Sequence, residues 1–358
     1  MRIGLIGLPQ VGKTTLFNLL TEAGASTGFG SKDKANIGVA NVPDERVDYL
    51  AGIYEPKKTT YAQIEFIDIA GLGPGSNGRD TREFLTALQN VDALVQVVRA
   101  FRSDVVPHFR GEIDAMRDLD LLQSELVLND LALLETRLER LNKGRVKQKE
   151  AETDLALLEK CRDYLEEERP LSQVEFTDEE AAELRQYTFY TAIPMLLAIN
   201  VDEEELTEGS YPRQVELSDW AKARGISVIP ICGKLEEEII GLPIADRGPF
   251  LADLGLAETG IARLAKAVYR HLHLISYFTV GTDEVRAWTI TTGMNARQAA
   301  GKIHSDIERG FIRAEVVGYE DFHMAGSMTE AKRKGLCRLE GKEYIVQDGD
   351  IIDFRFNV

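Results

Sequence analysis

Long apolar runs are missing from this chain of 358 residues. No stretch of about 18 consecutive apolar residues occurs, which excludes a membrane-spanning helix. Cysteine is scarce: Cys161, Cys232 and Cys337 are odd in number and far apart. Neither a disulfide framework nor a metal-ligand spacing follows from them, and reduced thiols are expected. The five histidines do not cluster either. Positive charge is in deficit, with 42 Lys and Arg against 59 Asp and Glu and a formal net charge of −17. That argues against an overall electrostatic grip on nucleic acid, though not against a local basic surface. No signal-peptide pattern precedes the first apolar run, so a cytoplasmic protein is expected. At this length two or three domains are expected.

What is present is a phosphate loop. Gly7-Leu8-Pro9-Gln10-Val11-Gly12-Lys13-Thr14 fits G-x-x-x-x-G-K-[ST], between the apolar run Ile3 to Ile6 and an amphipathic segment carrying Leu16, Phe17, Leu19 and Leu20. Strand, glycine loop and helix together give the pattern a mechanism. The glycines let successive N–H groups of Gln10, Val11, Gly12 and their neighbours face a phosphate, at the positive end of a helix. Lys13 reaches the outer phosphates as a point charge. The Thr14 hydroxyl, next to Thr15, is placed to ligate magnesium.

Further strand ends supply the rest of such a site. Ile64 to Ile69 runs into Ala70-Gly71, so Asp68 and Gly71 form a D-x-x-G tetrad. Asp68 can hold magnesium through water, and the Gly71 N–H can sense a γ-phosphate. Leu72 stands where Ras-like enzymes place a glutamine, and its side chain cannot orient a water. Met195 to Ile199 ends in Asn200-Val201-Asp202-Glu203, where guanine-specific proteins read N-K-x-D. Val201 replaces the lysine and Glu203 the aspartate, which removes the acceptor that selects guanine and favours ATP over GTP. A last strand, Ile226 to Ile231, leads into Cys232-Gly233-Lys234, expected to complete a base pocket with Lys234 packed on the ring. Strands alternating with helices predict an α/β fold with a mainly parallel sheet covered on both faces.

Two segments depart from that alternation. Residues 112–190 carry Leu119, Leu122, Leu126, Leu131, Leu134, Leu138 and Leu141, then Leu155, Leu158, Cys161, Tyr164 and Leu165 after a turn near Gly144. These spacings predict two long helices folded back as an antiparallel coiled-coil arm. The region holds 11 Lys and Arg against 21 Asp and Glu, yet Lys143, Arg145, Lys147 and Lys149 cluster at the expected tip. That tip is either a solvated turn or a nucleic-acid contact. From about Ser276 the pattern changes to short strands, including Phe278 to Val280, Ala287 to Ile290, Tyr344 to Val346 and Ile351 to Phe356. One helical stretch, Ala296 to Ile307, lies among them. A small mixed sheet curled around one helix is expected, with a docking role. The domain boundaries expected are 1–111 plus 191–275 for the nucleotide-binding part, 112–190 for the arm and 276–358 for the last domain.

Taken together the chain resembles the YchF family of Obg-like ATPases. Its most specific support is C-terminal: Glu284 to Thr289, Gln298 to Asp306 with Glu308 to Glu315, Glu340-Gly341-Lys342, Tyr344 to Asp350 and Phe354 to Val358. The resemblance implies a Ras-like P-loop domain, a coiled-coil arm and a ubiquitin-like β-grasp (TGS) domain. It also implies ATP hydrolysis without the usual glutamine, and association with ribosomes or RNA. There are departures. Gln10 stands where the family usually has an asparagine linked to K⁺ coordination. Lys32 falls where members carry a first-switch threonine. The glycine-rich stretch after Gly71 is shorter than usual. His108 sits where members have a histidine proposed to assist water attack, which makes it the catalytic candidate.

The expected function is a Mg²⁺-dependent switch that binds and slowly hydrolyses ATP, most simply as a monomer. A GTPase of the same fold is one alternative. A nucleotide-gated RNA- or ribosome-binding module with negligible hydrolysis is another.

Overall fold

Short β-branched and apolar runs alternate with amphipathic segments through the first two thirds of the chain, and they fold into a doubly wound α/β layer. The computed structural model describes residues 1–22, 36–71, 78–108, 110–142 and 148–357. It divides into two units, Met1–Val39 with Glu65–Leu264, and Ala40–Ile64 with Ala265–Val358. The strands are β1 (Arg2–Ile6), β2 (Asn36–Val42), β3 (Lys58–Thr60), β4 (Ala62–Asp68), β5 (Ala93–Arg99), β6 (Met195–Asn200) and β7 (Val228–Ile231). They continue as β8 (Leu274–Thr279), β9 (Glu284–Thr291), β10 (Phe311–Gly318), β11 (Arg338–Glu340) and β12 (Asp350–Phe356).

The first sheet has the order β2-β4-β1-β5-β6-β7. β1 pairs in parallel with β4 and β5, and β6 pairs in parallel with β5 and β7. Every residue of β5 and β6 is buried, as strands covered on both faces must be. Helix α1 (Lys13–Thr21) follows the glycine loop, α2 (Glu45–Tyr54) follows β2, and α3 (Gly78–Leu88) precedes β5. Because the strand order runs from β1 through β4 to one edge of the sheet and through β5 to the other, the order reverses at the carboxyl end of β1. Open α/β sheets bind their ligands there.

The two helices expected from the leucine spacing are α4 (Ala115–Asn142) and α5 (Gln148–Glu166). They do not form a uniform arm. Leu119, Leu122 and Leu126 pack into the sheet's own core beside Leu94, Val98, Leu197 and Ile199. From Val127 onward the core is separate: Leu134 and Leu138 meet Leu158, Cys161 and Leu165 of α5. The inner half of α4 is thus a sheet-covering helix and only the outer half is coiled coil. Of the basic tip, Lys143, Arg145 and Lys147 lie outside the described residues, as do Lys32 and Leu72.

Asp130, at the seam of these two cores, is fully buried. Its carboxylate accepts from the Tyr190 N–H (2.9 Å), the Thr191 N–H (2.8 Å) and the Thr191 hydroxyl (2.7 Å). It therefore fixes where the chain leaves the arm to enter β6. Burial pushes the carboxyl up to about 6, against these three bonds, which pull it down. The folded protein therefore holds this proton to a higher pH than the unfolded chain does. Asp130 thus costs stability as pH rises from about 4 to about 6. Urea titrations of wild type and Asp130→Asn should show the variant gaining about 3 kcal/mol relative to wild type between those limits. A constant difference across that range would refute the assignment.

In the second unit the sheet order is β11-β10-β12-β8-β9-β3. β10 is antiparallel to β11 and β12, β8 is antiparallel to β9, and β12 and β8 are parallel. One face packs Tyr277, Ile290, Ala314, Val316, Ile352 and Phe354 around Ala296, Ala299 and Ala300 of the helix Ala296–Ile303. This is the expected mixed sheet wrapped on a helix, with three differences. The helical stretch breaks at His304, whose backbone is extended (φ −163°) and whose Nδ1 accepts from the Asp306 N–H at 3.1 Å. Tyr344 to Val346 is not a strand, and only an isolated bridge joins Ile345 to Asn295. Residues 40–64, grouped by sequence with the nucleotide-binding part, fall in this unit, and β3 pairs in parallel with β9.

No helix among the described residues is long and apolar enough to cross a membrane.

Candidate nucleotide site

Each residue expected from the sequence at a strand end lies at the carboxyl end of a strand in the first sheet. β1 ends in the glycine loop, β4 in Asp68, β6 in Asn200, and β7 leads to Cys232. The loop requires a backbone that few residues tolerate. Gly12 caps α1 with φ 98°, and a Cβ there would lie 2.4 Å from Asn200 Nδ2. Gln10 adopts φ 65° without being glycine, a left-handed conformation that costs an L-residue roughly 1–2 kcal/mol. Asparagine tolerates that region better than glutamine does, so the departure at Gln10 bears on the loop's shape as well as its chemistry.

Lys13 is buried, and its ammonium donates to the Leu8 carbonyl at 2.8 Å. Burial lowers its pKa to about 8, while Asp68 partly offsets the shift. Thr14 Oγ1 donates to Asp68 Oδ2 at 2.8 Å. Gly71 approaches the loop so closely that a Cβ would fall 2.5 Å from the Gly7 carbonyl and 2.7 Å from Lys13 Nζ. The D-x-x-G tetrad and the phosphate loop are thereby one constellation: Asp68 beside Thr14, Gly71 beside Lys13. Two hard oxygen donors held 2.8 Å apart, with a lysine alongside, fit magnesium and phosphate chemistry.

The shifted lysine sets a pH expectation. Bound phosphates favour the ammonium, so binding above pH 8 must take up a proton. ATP affinity should therefore be level to about pH 8 and then fall by up to about tenfold per pH unit. Calorimetric titrations from about pH 7.5 to 9.5 measure it, and a flat profile would contradict the assignment. The ligand-free protein should show the opposite trend. It gains stability as pH rises from about 8 towards the unperturbed lysine value, because the buried charge is relieved.

Asn200 is the junction of the base side. Its Nδ2 donates to the Val11 carbonyl at 3.0 Å, and its Oδ1 accepts from the Gly233 N–H at 3.1 Å. Thr15 lies near Gly233, since a Cβ on that glycine would sit 3.6 Å from Thr15 Cγ2. Val201 is buried and donates its N–H to the Ile231 carbonyl at 2.9 Å. Glu203 opens the helix Glu203–Glu208 and is partly buried. Asp202 caps that helix and accepts the Arg102 N–H at 3.0 Å, which occupies it elsewhere. Cys232 is buried, and burial pushes its thiol up against the N–H groups of Leu235 and Lys234. Lys234 does not pack inward: its side chain is 78 % exposed, with its ammonium 3.8 Å from Glu238 one turn along the same helix. The i,i+4 pairing on a solvated face is the physical reason.

His108 also differs from its expected role. Its side chain is 3 % exposed, and Nε2 lies 2.7 Å from Asp118 Oδ2 at the root of α4. Its Nδ1 accepts the Arg110 N–H at 3.2 Å, so Nε2 must carry the proton and donate it to Asp118. Both ring nitrogens are committed, and neither is offered to a water in this arrangement. Arg117 holds the far oxygen of Asp118 at 2.9 Å.

Two side chains escaped the sequence reading. Arg99, 1 % exposed at the end of β5, donates to the carbonyls of Phe101 (3.1 Å) and Val106 (2.7 Å), and its guanidinium stacks 4.2 Å from the Phe101 ring. A charge ending a strand that is apolar but for Gln96 was its signal. Glu236, 2 % exposed, accepts the Gly260 N–H at 2.6 Å and so caps the helix Gly260–His271. Nothing local in the sequence marks it.

Known proteins match the chain over nearly its whole length. A family model described as 50S ribosome-binding GTPase matches residues 2–130, and the YchF-GTPase C-terminal family, described as a protein of unknown function, matches 274–357. The chain is 43 % identical to the ribosome-binding ATPase YchF of Bacillus subtilis (strain 168), with 99 % of each chain covered. It is 41 % identical to the protein of that name from Escherichia coli O157:H7, covering 100 % of this chain and 99 % of that one. Among solved structures, the Schizosaccharomyces pombe YchF GTPase superposes with a TM-score of 0.88 at 30 % identity, covering 99 % of this chain and 97 % of that one.

Proposed function

The chain belongs to the YchF family, and on that premise we propose that it is a magnesium-dependent ATPase working as a nucleotide switch on the ribosome. The observation that carries the chemistry is the joined constellation of Lys13, Thr14, Asp68 and Gly71, with Thr14 and Asp68 2.8 Å apart. In this reading the N–H groups of Gln10 to Thr15 and the Lys13 ammonium hold the phosphates. Thr14 and Asp68 hold magnesium, which when bound neutralises charge building on the phosphate oxygens. Asn200 fixes the loop against Gly233, and Val201, Glu203 and Cys232 frame the base. Glu203 in place of the guanine-reading aspartate supports adenine.

His108 acts in this scheme through Asp118, by anchoring the loop after β5 to α4, rather than on the attacking water. Slow turnover is expected, because the sequence places Leu72, which cannot hydrogen-bond a water, where the glutamine would stand.

The ribosome reading rests on the names of the relatives and on charge. From Ala265 to Val358 the chain holds 13 Lys and Arg against 13 Asp and Glu, so the net charge of −17 lies almost wholly elsewhere. The C-terminal unit is therefore the surface that approaches phosphate-rich RNA at least electrostatic cost. In this reading the protein works in the cytoplasm, where a ribosomal partner would be found.

Filter binding and multiple-turnover assays with ATP and GTP, with and without magnesium and potassium, test the proposal. Equal or tighter GTP binding would overturn the adenine assignment in favour of the GTPase named for the Schizosaccharomyces pombe relative. Absence of turnover with tight binding would favour a nucleotide-gated ribosome binder. Failure to cosediment with large ribosomal subunits in any nucleotide state would remove the ribosome from the reading.

A further inference from the structure

The stretch between β2 and the strand that delivers Asp68 is built into the C-terminal unit. Residues 40–64 lie between the glycine-rich region that follows α1 and the strand that delivers Asp68, yet their contacts tie them to residues 265–358. Lys58, Thr59 and Thr60 of β3 pair in register with Glu284, Val285 and Arg286 of β9. Thr60 Oγ1 donates to Glu284 at 2.7 Å, and the Lys57 N–H donates to the Thr282 carbonyl at 3.1 Å.

On α2, Arg46 is the latch. Its guanidinium bonds Asp44 and Asp348, each at 2.8 Å, and lies 5.0 Å from the Phe278 ring. Asp348 in turn accepts the Ser276 N–H at 2.9 Å. Although burial works against its charge, these carboxylates raise the arginine's pKa. Tyr49 sits edge-on to Tyr319, and Tyr54 stacks on Phe322.

The segment's exit makes this arrangement consequential. One residue, Tyr61, separates β3 from β4, and β4 runs unbroken from Ala62 to Asp68, whose carboxylate bonds Thr14. A strand of that length spans roughly 20 Å and joins its two ends with no intervening loop. Its amino end continues from an edge strand of the C-terminal sheet, and its carboxyl end belongs to the magnesium-side constellation.

We propose that residues 40–64 make nucleotide state and the C-terminal sheet one linked equilibrium. A nucleotide that repositions Asp68 is felt at α2 and β3, and a partner engaging the C-terminal sheet changes the affinity at Gly7 to Thr14 by the same factor. The linkage rests on the nucleotide-binding reading above and adds to it a route of regulation: docking on the last domain sets the nucleotide preference of the first.

Hydrogen exchange on the full-length protein tests it, comparing no nucleotide, Mg·ADP and a magnesium complex of a non-hydrolysable ATP analogue. Protection in 45–60 and 284–291 should change with nucleotide alongside that of the phosphate loop. Arg46→Gln, Asp348→Asn and the milder Thr60→Val touch nothing at the nucleotide site. At least one of the three that retains a cooperative thermal transition should shift the analogue-to-ADP affinity ratio by roughly threefold or more. Nucleotide binding with 45–60 and 284–291 unchanged, or ratios within twofold of wild type in every folded variant, would overturn the linkage alone. Wild-type protein that binds neither nucleotide would overturn the ATPase reading and the linkage with it.

Discussion

Replacing Lys13 by methionine should abolish nucleotide binding while leaving the thermal midpoint of the ligand-free protein unchanged or raised. The two effects have separate causes. Lys13 is the one cation that the phosphate loop places beside both Gly71 and Asp68, in a buried site where a charge–charge attraction far exceeds its value in water. Its removal should weaken ATP binding at least about 100-fold, equivalent to about 2.7 kcal/mol. In the ligand-free protein the same ammonium is buried against an opposing desolvation cost that lowers its pKa to about 8. A thioether side chain of similar length carries no such cost. Calorimetric titration gives the first quantity and scanning calorimetry the second. Retained micromolar binding would mean that the phosphates sit elsewhere, and a fall in midpoint of several degrees would mean that Lys13 is a structural ion-pair partner.

Asn200→Leu should do the reverse, lowering stability as well as binding. Its amide makes two buried hydrogen bonds, to the Val11 carbonyl and from the Gly233 N–H. An isobutyl group leaves both backbone groups unpaired, at about 1–3 kcal/mol each. The loss should be largest in nucleotide affinity, because the bond to Val11 holds the phosphate loop in register with the base side. Gly12→Ala approaches the same contact from the other side, since its Cβ would fall 2.4 Å from Asn200 Nδ2 in a backbone conformation of φ 98°. If either variant binds ATP as tightly as wild type, the two halves of the site are independent and the junction is misassigned. Denaturant titrations separate the folding cost from the binding cost.

How far the sequence revealed all this depended on the range of the interaction. The phosphate loop and the D-x-x-G tetrad were legible because a strand, a glycine and a charged residue within a few positions define them. The leucine spacing found both helices of the insertion. It could not find the seam between their two cores, since Leu126 and Leu134 obey one period while facing different partners. Lys234 and His108 were placed by position relative to a motif, and side-chain partners decided otherwise: Glu238 lies one helical turn away, and Asp118 ten residues on. The hold of residues 40–64 on the C-terminal sheet was invisible because β3 is three residues long and finds β9 more than 220 residues later. No local periodicity encodes such a pairing.

Asp130 has a practical side. It marks the line along which the helical insertion can be trimmed. Cutting the chain at 112 and rejoining it at 190 would strip Leu119, Leu122 and Leu126 from the sheet and expose its core to water. Cutting beyond Asp130 removes only the second, self-contained cluster and spares the three bonds that receive the returning chain at Tyr190 and Thr191. The arm is therefore a detachable module mounted on a helix that is not, and lineages or engineers can vary its reach without touching the sheet beneath.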